Sequence, residues 1–401
     1  PLDIFETQCY HTTIKKTSEQ ERKKQEEAKM KKKVVAALLT TAMVLSMGAC
    51  GTKDGGNTTD GGNEGGGESK GYEFEILVKS FQSTYWQAAV QGIEQACGEL
   101  GVKANTNGPA NESDIADQIQ MIDDAIEKKP DGIGLAACDA KSVIKSVNKA
   151  LEKGIPVVCF DTDVEGVEEG AVKATIATDN AAAGAVAAEN MFPVIEEKIK
   201  AATVDKKVRI GEVNQDATGL NIQQRGQGFI DKMIELCTAA GKKVAVVGNE
   251  FYVNAAEGKV DEKEAEIIIE VGVPSQTTVD LASTEAQKIM SKDDTIAIFG
   301  SNQTTAEGVI TANQTLNKLS TDPSKGIIGV GFDAGTPQKE AITSGQFIGS
   351  VTQSPLKMGY ETIYALTDIC DGKEVADIPM DGYWYNTDNM EDKDIKPNLY
   401  D

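Results

Sequence analysis

Histidine is almost missing from this chain: one residue in 401, His11. From Met30 onward there is no imidazole at all. That excludes Ser-His-Asp and Cys-His nucleophiles, His-ligated zinc and imidazole bases from that part of the chain. Cysteine is sparse and never spaced C-x-x-C. Cys97, Cys138, Cys159, Cys237 and Cys370 lie far apart, which argues against a thiolate metal site. Cys138 and Cys159 stand in or beside apolar runs, where a free thiol packs as a small hydrophobe. Positive charge is outnumbered, 40 Lys and Arg against 63 Asp and Glu, for a net charge of −23. That argues against nucleic acid as a partner, because its phosphates need a basic face. Long apolar runs are scarce too. The one candidate, 34–47, falls short of the about 20 residues that span a bilayer.

That run matters for where it sits. Lys31, Lys32 and Lys33 precede it, and Gly48 and Ala49 follow it directly before Cys50. A positive flank, a short apolar core and small residues at a cleavage point make a secretory signal. Ending on cysteine resembles a bacterial lipobox, in which the thiol is diacylated and becomes the mature N-terminus. Residues 30–49 are thus read as a lipoprotein signal peptide and Cys50 as the lipidation site. The expected location is the cell surface, anchored by lipid to the outer face of the cytoplasmic membrane. Residues 1–29 are polar and fit no exported segment, so they are read as a spurious upstream extension with Met30 as the start. Residues 50–71 are dominated by Gly with Asn, Asp and Thr. Such a segment buries too little to offset the entropy of ordering and is expected to be a flexible tether.

The rest, 72–401, is long enough for two lobes, each with its own core. Strands are expected at 75–78, 132–137, 156–160 and 175–177, alternating with helices at 86–100, 114–128, 141–153 and 181–191. In the second of these helices Ile115, Ile119, Ile122 and Ile126 recur at helical spacing, one apolar face. The alternation then restarts. Strands at 207–213, 244–248, 266–271, 295–299 and 326–332 are interleaved with helices at 223–236, 283–290, 304–315 and 337–344. Strand–helix alternation means parallel sheets, and two series mean two doubly wound lobes. The polar insertion 248–263 reads as a surface hairpin or loop.

Ligands of such sheets bind at the carboxyl ends of strands. There the sequence places Ser83, Tyr85 and Trp86, then Asp161 and Thr162, then Asn302 and Gln303, then Asp333. Aromatic rings can cover the C–H faces of a pyranose, while carboxylates and amides bond its hydroxyls in plane. With no nucleophile among them, these residues form a recognition set. Each also has a structural role open to it: Trp86 as a core residue, Asp161 and Asp333 as turn residues or caps, Asn302 as a helix cap. Two G-x-G-x-x-A strings, 132–137 and 329–334, run within expected strands and do not open helices, which argues against a dinucleotide loop.

Several strings together carry a family resemblance: STYWQAAVQGIEQAC, PDGIGLAACD, IPVVCFDTD, TDNAAAGAVAAENM, QRGQGF, FGSNQTTAEGVITA, VGFDAGTP and VTQSPLKMGY. The chain resembles the ribose/galactose-type solute-binding proteins, the extracellular receptors of sugar ABC transporters. The resemblance implies a type 1 periplasmic-binding-protein-like fold, with an N-terminal lobe of 72–179 and 354–383. The C-terminal lobe would be 180–353 and 384–401, with three crossings near Asp179, Gln353 and Trp384. It implies Ser83, Tyr85, Trp86 and Asp161 as ligand contacts from the first lobe, and Asn302, Asp333 and Gln353 from the second. Thr162 and Gln223 occupy places where many relatives carry Arg; both are taken as site residues, and Arg225 as structural. Losing two forked donors leaves Asp161 and Asp333 with fewer obvious partners, so the sugar's identity stays open.

The implied partners are a sugar ligand, the ABC permease and, through Cys50, the membrane. The protein is expected to be a monomer with no cofactor, no metal and no catalytic residue. A sensor signalling through a histidine kinase or chemoreceptor is the alternative, and an exported enzyme the weaker one. A gene regulator would need a basic helix-turn-helix ahead of the sensor, where a signal and a Gly-rich segment stand instead.

Overall fold

A computed structural model describes residues 71–400; the expected signal, Cys50 and nearly all of the expected tether lie outside the described residues. The first half runs β1 (Glu73–Leu77), α1 (Thr84–Leu100), β2 (Lys103–Asn107), α2 (Ile115–Lys128), β3 (Gly132–Leu135), α3 (Ile144–Glu152), β4 (Val157–Phe160) and β5 (Val172–Thr178). Next come α4 (Asn180–Ala201), β6 (Val208–Val213), α5 (Leu220–Ala239), β7 (Val244–Gly248), α6 (Glu250–Ala255) and β8 (Ile267–Gly272). The second half continues with α7 (Val279–Met290), β9 (Thr295–Gly300), α8 (Gln303–Leu316), β10 (Ile328–Phe332), α9 (Thr336–Thr343) and β11 (Phe347–Thr352). The chain closes with α10 (Pro355–Cys370), β12 (Ile378–Met380) and β13 (Tyr383–Tyr385).

Two sheets result, in the orders β12-β5-β4-β3-β1-β2 and β13-β11-β10-β9-β6-β8-β7. Every pairing in the first is parallel. The second is parallel except for its edge strand β13, which runs antiparallel to β11. That exception follows from the short step between β12 and β13: three residues later the chain enters the other sheet with no room for a crossover helix. The central strands β3, β4, β9 and β10 are buried at every position, as expected for sheets covered on both faces. The chain passes between sheets after β5, after β11 and after β12.

Some elements had no sequence signal. β2, KANTN, is an edge strand with no core-facing apolar pattern. The insertion expected to be a hairpin or loop instead holds helix α6, then a 3-10 turn, Glu262–Glu264. Its one decisive residue, Tyr252, is fully buried and donates from its hydroxyl to Asp216 O at 2.9 Å. The insertion therefore props the loop that follows β6 at the carboxyl edge of the second sheet. Among the described residues no helix is long and apolar enough to cross a membrane.

Candidate functional site

Asp161 and Asp333 each follow a central strand and each adopt left-handed backbone, with φ of 62° and 71°. Such a conformation is uncommon outside glycine and clusters at functional sites. Each N–H donates to the neighbouring strand, Asp161 to Ile176 O at 3.0 Å and Asp333 to Val351 O at 2.7 Å. Both carboxylates face one buried cavity of about 30 Å³, lined also by Lys79, Ser83, Tyr85, Trp86, Glu112, Gln215, Asn221, Arg225, Asn302, Gln303 and Gln353.

From the first lobe, Tyr85 donates to Asp161 Oδ1 at 2.6 Å, and its ring meets Trp86 edge-on at 4.8 Å. Trp86 is both wall and core: it is buried, packs edge-on against Phe160, and donates from Nε1 to Glu112 Oε1 at 2.8 Å. Ser83 is the N-cap residue of α1 with its hydroxyl not engaged in capping. From the second lobe, Asn302 caps α8, accepting from Thr305 N at 3.0 Å, and its amide donates to Gln215. Gln353 lies between the lobes. It accepts from Thr178 Oγ1 at 2.8 Å and donates to Asp333 Oδ1 at 2.7 Å.

Thr162 and Gln223 do not join this set. Thr162 turns its hydroxyl onto Asp161 Oδ2 at 2.8 Å, so it orients the carboxylate without lining the cavity. Gln223 donates to Ala217 O at 2.6 Å, a local bond, and does not line the cavity. A cation does reach the site: Lys79, whose ammonium lies 3.0 Å from Asp161 Oδ2. Burial opposes the charge on Lys79, but Asp161 and then Glu112 outweigh it and its pKa is raised. Burial likewise opposes the Asp161 charge, yet Lys79 and the Tyr85 hydroxyl hold its pKa below the ordinary value. Asp333 differs. Burial pushes its pKa up, against the pull of Arg225, whose guanidinium stacks 3.7 Å over the Phe332 ring and binds Asn180 Oδ1 and Ser301 O.

Bonds across the cleft involve Lys79, Glu112, Gln215 and Asn221, which lie outside the expected set, and the expected Tyr85 and Gln303. Lys79 Nζ donates to Asn221 Oδ1 at 3.1 Å, and Asn221 Nδ2 donates to Asp161 Oδ2 at 2.9 Å. Gln215 Nε2 donates to Glu112 Oε2 at 2.8 Å, and Tyr85 N to Gln303 Oε1 at 3.3 Å. Lys79 directly follows an expected strand and Gln215 stands two residues past another, so the carboxyl-end rule could have found them. Glu112 follows β2, which had no signal, and Asn221 lies on α5, whose reach into the cleft only tertiary packing shows.

The comparisons with known proteins agree with this architecture. The profile described as a periplasmic binding protein domain matches residues 74–374. The chain belongs to this family. Among curated members, the D-allose-binding periplasmic protein of Escherichia coli is 23% identical over 320 residues, 77% of this chain and 87% of that protein. The ribose import binding protein of Haemophilus influenzae is 24% identical, covering 76% of this chain and 88% of that protein. A solved structure from Agrobacterium vitis, an ABC transporter solute binding protein with bound D-fucose, superposes with a TM-score of 0.67 at 27% identity. It covers 82% of this chain and 100% of that one.

Proposed function

We propose that this chain is an extracellular solute-binding protein, lipid-anchored through Cys50, that captures a monosaccharide-like ligand between its lobes and passes it to an ABC permease. One observation carries the reading: Asp161 and Asp333, from different sheets, face a single cavity beside Tyr85 and Trp86. Charged acceptors and amides in a buried, aromatic-walled site suit polyhydroxylated ligands, which offer several donors in one plane and apolar faces above and below it. The names of the relatives and the D-fucose in the Agrobacterium structure support the same class.

A cavity of about 30 Å³ has room for roughly two waters, whereas small-molecule pockets run to about 300 Å³ or more. A sugar therefore enters by parting the lobes, exchanging the bonds of Asn221 and Gln215 for bonds to its own hydroxyls. Hinge closure of this kind creates the surface that a permease reads. The family is one of binding proteins, and no turnover is expected.

A thermal-shift panel of pentoses, hexoses and polyols, followed by isothermal titration, tests the reading. A sugar at 100 times its Kd should stabilise the fold by about 2.7 kcal/mol and be recovered unchanged. Shifts with amino acids or peptides but with no sugar would overturn the ligand class.

A further inference from the structure

Beside the buried cavity lies a second and larger space of about 250 Å³. Gln82 and Thr84 of the first lobe wall one side; Thr278, Val279 and Glu307 of the second lobe wall the other. The two spaces share Ser83, Glu112, Gln303 and Thr304, so they adjoin directly. Gln303 stands on the boundary, with Nε2 donating to Thr84 Oγ1 at 3.1 Å and to Glu307 Oε1 at 3.0 Å. The lobes thus touch at the partition while the space beyond it stays wide.

Its size and chemistry narrow what it can hold. A cavity of about 150 Å³ admits a six-membered carbon ring, so this one has room for a ring with substituents. No Lys or Arg lines it, and Glu112 and Glu307 do. A phosphate, sulfate or uronate would meet like charge there, at a cost that specific sites use to reject ligands. The rest of the wall is hydroxyl and amide, with Val279 and Pro337 as apolar patches, a mixture suited to hydroxyls at a ring's rim and C–H groups on its face.

We infer that this vestibule is a second, neutral glycosyl subsite. The ligand is then a glycoside or short oligosaccharide whose inner ring lies between Asp161 and Asp333 and whose outer group passes Gln303. The inference rests on the sugar-binding reading and extends it from a free monosaccharide to a substituted one.

Isothermal titration of the mature protein decides between them. The probes are glucose, galactose and allose, their methyl glycosides, the disaccharides maltose, cellobiose, lactose and melibiose, and glucose 6-phosphate. At least one disaccharide or glycoside should bind tenfold or more tightly than its parent monosaccharide, and the phosphate should not share that gain. Val279→Trp, which fills the vestibule, should remove the gain while leaving monosaccharide affinity within twofold. Gln82→Trp, from the exposed opposite rim, should do the same and serves if the first variant folds poorly. Binding of monosaccharides with no gain for any larger probe overturns the subsite and leaves the sugar reading standing. So does an equal loss for both ligand sizes in the filled variants. No binding by any sugar overturns both.

Discussion

Asp161 and Asp333 occupy matching strand ends yet are held differently. Asp161 has a buried ammonium at 3.0 Å, whereas Asp333 relies on Gln353, the Gln303 N–H and the more distant Arg225. A hydrogen bond to a charged group contributes about 1.5–3 kcal/mol. Asp333→Asn and Asp161→Asn should each weaken sugar binding about ten- to a hundredfold or more by titration calorimetry. The Asp161 variant should also lose stability, because Lys79 is left buried beside a neutral amide. Unchanged affinity in both would move the pocket elsewhere.

Glu212 makes a separate case at this scale. It is fully buried on β6, with Oε1 accepting from Asn214 Nδ2 at 2.7 Å, while its Oε2 and Asn214 Oδ1 have no partner. Burial raises its pKa well above the ordinary 4.5, so the fold favours the protonated acid. The folded state therefore holds a proton that the unfolded state releases. Its contribution to stability is fully present below about pH 4.5 and is lost as pH rises toward the folded pKa. Glu212→Gln removes that dependence. Its melting temperature relative to the wild type should climb with pH above about 4.5, and a difference that stays flat would show Glu212 ionised in the fold.

Among the elements, the pair α4 and α5 shows how closely backbone is packed in the second lobe. A Cβ placed on Gly184 would lie 2.0 Å from Arg225 O, a contact with backbone that no side-chain rotation relieves. Gly184→Ala should separate the helices and cost about 1–3 kcal/mol in denaturant unfolding. Because Arg225 lines the cavity, ligand affinity should fall with it. An alanine variant as stable as the wild type would mean that the helices part freely. The sequence announces most helices through apolar spacing, but not this contact. An Ala-rich helix such as α4 has a weak preferred face, and its partner is chosen by shape.

For the whole molecule, the two lobes are joined by three passages and by side chains that cross the cleft, with Gln353 linking Thr178 to Asp333 at the hinge. Placing such a receptor at a membrane falls to Cys50 in the proposed reading. Wild-type protein expressed in a bacterial host should incorporate labelled palmitate and run as a processed species. Cys50→Ala should lose the label and keep its leader. A wild type that takes up no label would sink the lipoprotein proposal while leaving sugar binding untouched.

Alternation of short apolar strands with amphipathic helices is a local property of the chain, and it was enough to determine two parallel-sheet lobes and the strand ends where Asp161, Asp333, Tyr85 and Trp86 stand. Residue type alone also excluded imidazole chemistry from Met30 onward. Tertiary structure decided the rest. Which side chains turn inward depends on the partners each one meets. Thr162 and Gln223 stand at the right places in the chain but are taken up by near neighbours, whereas Lys79, Glu112, Gln215 and Asn221 meet only when the two sheets face each other. β2 and the Tyr252 insertion were equally hidden, since an edge strand and a helix held by one buried ring leave almost no periodic trace. Burial across a cleft is a long-range property, and a linear pattern carries no record of it.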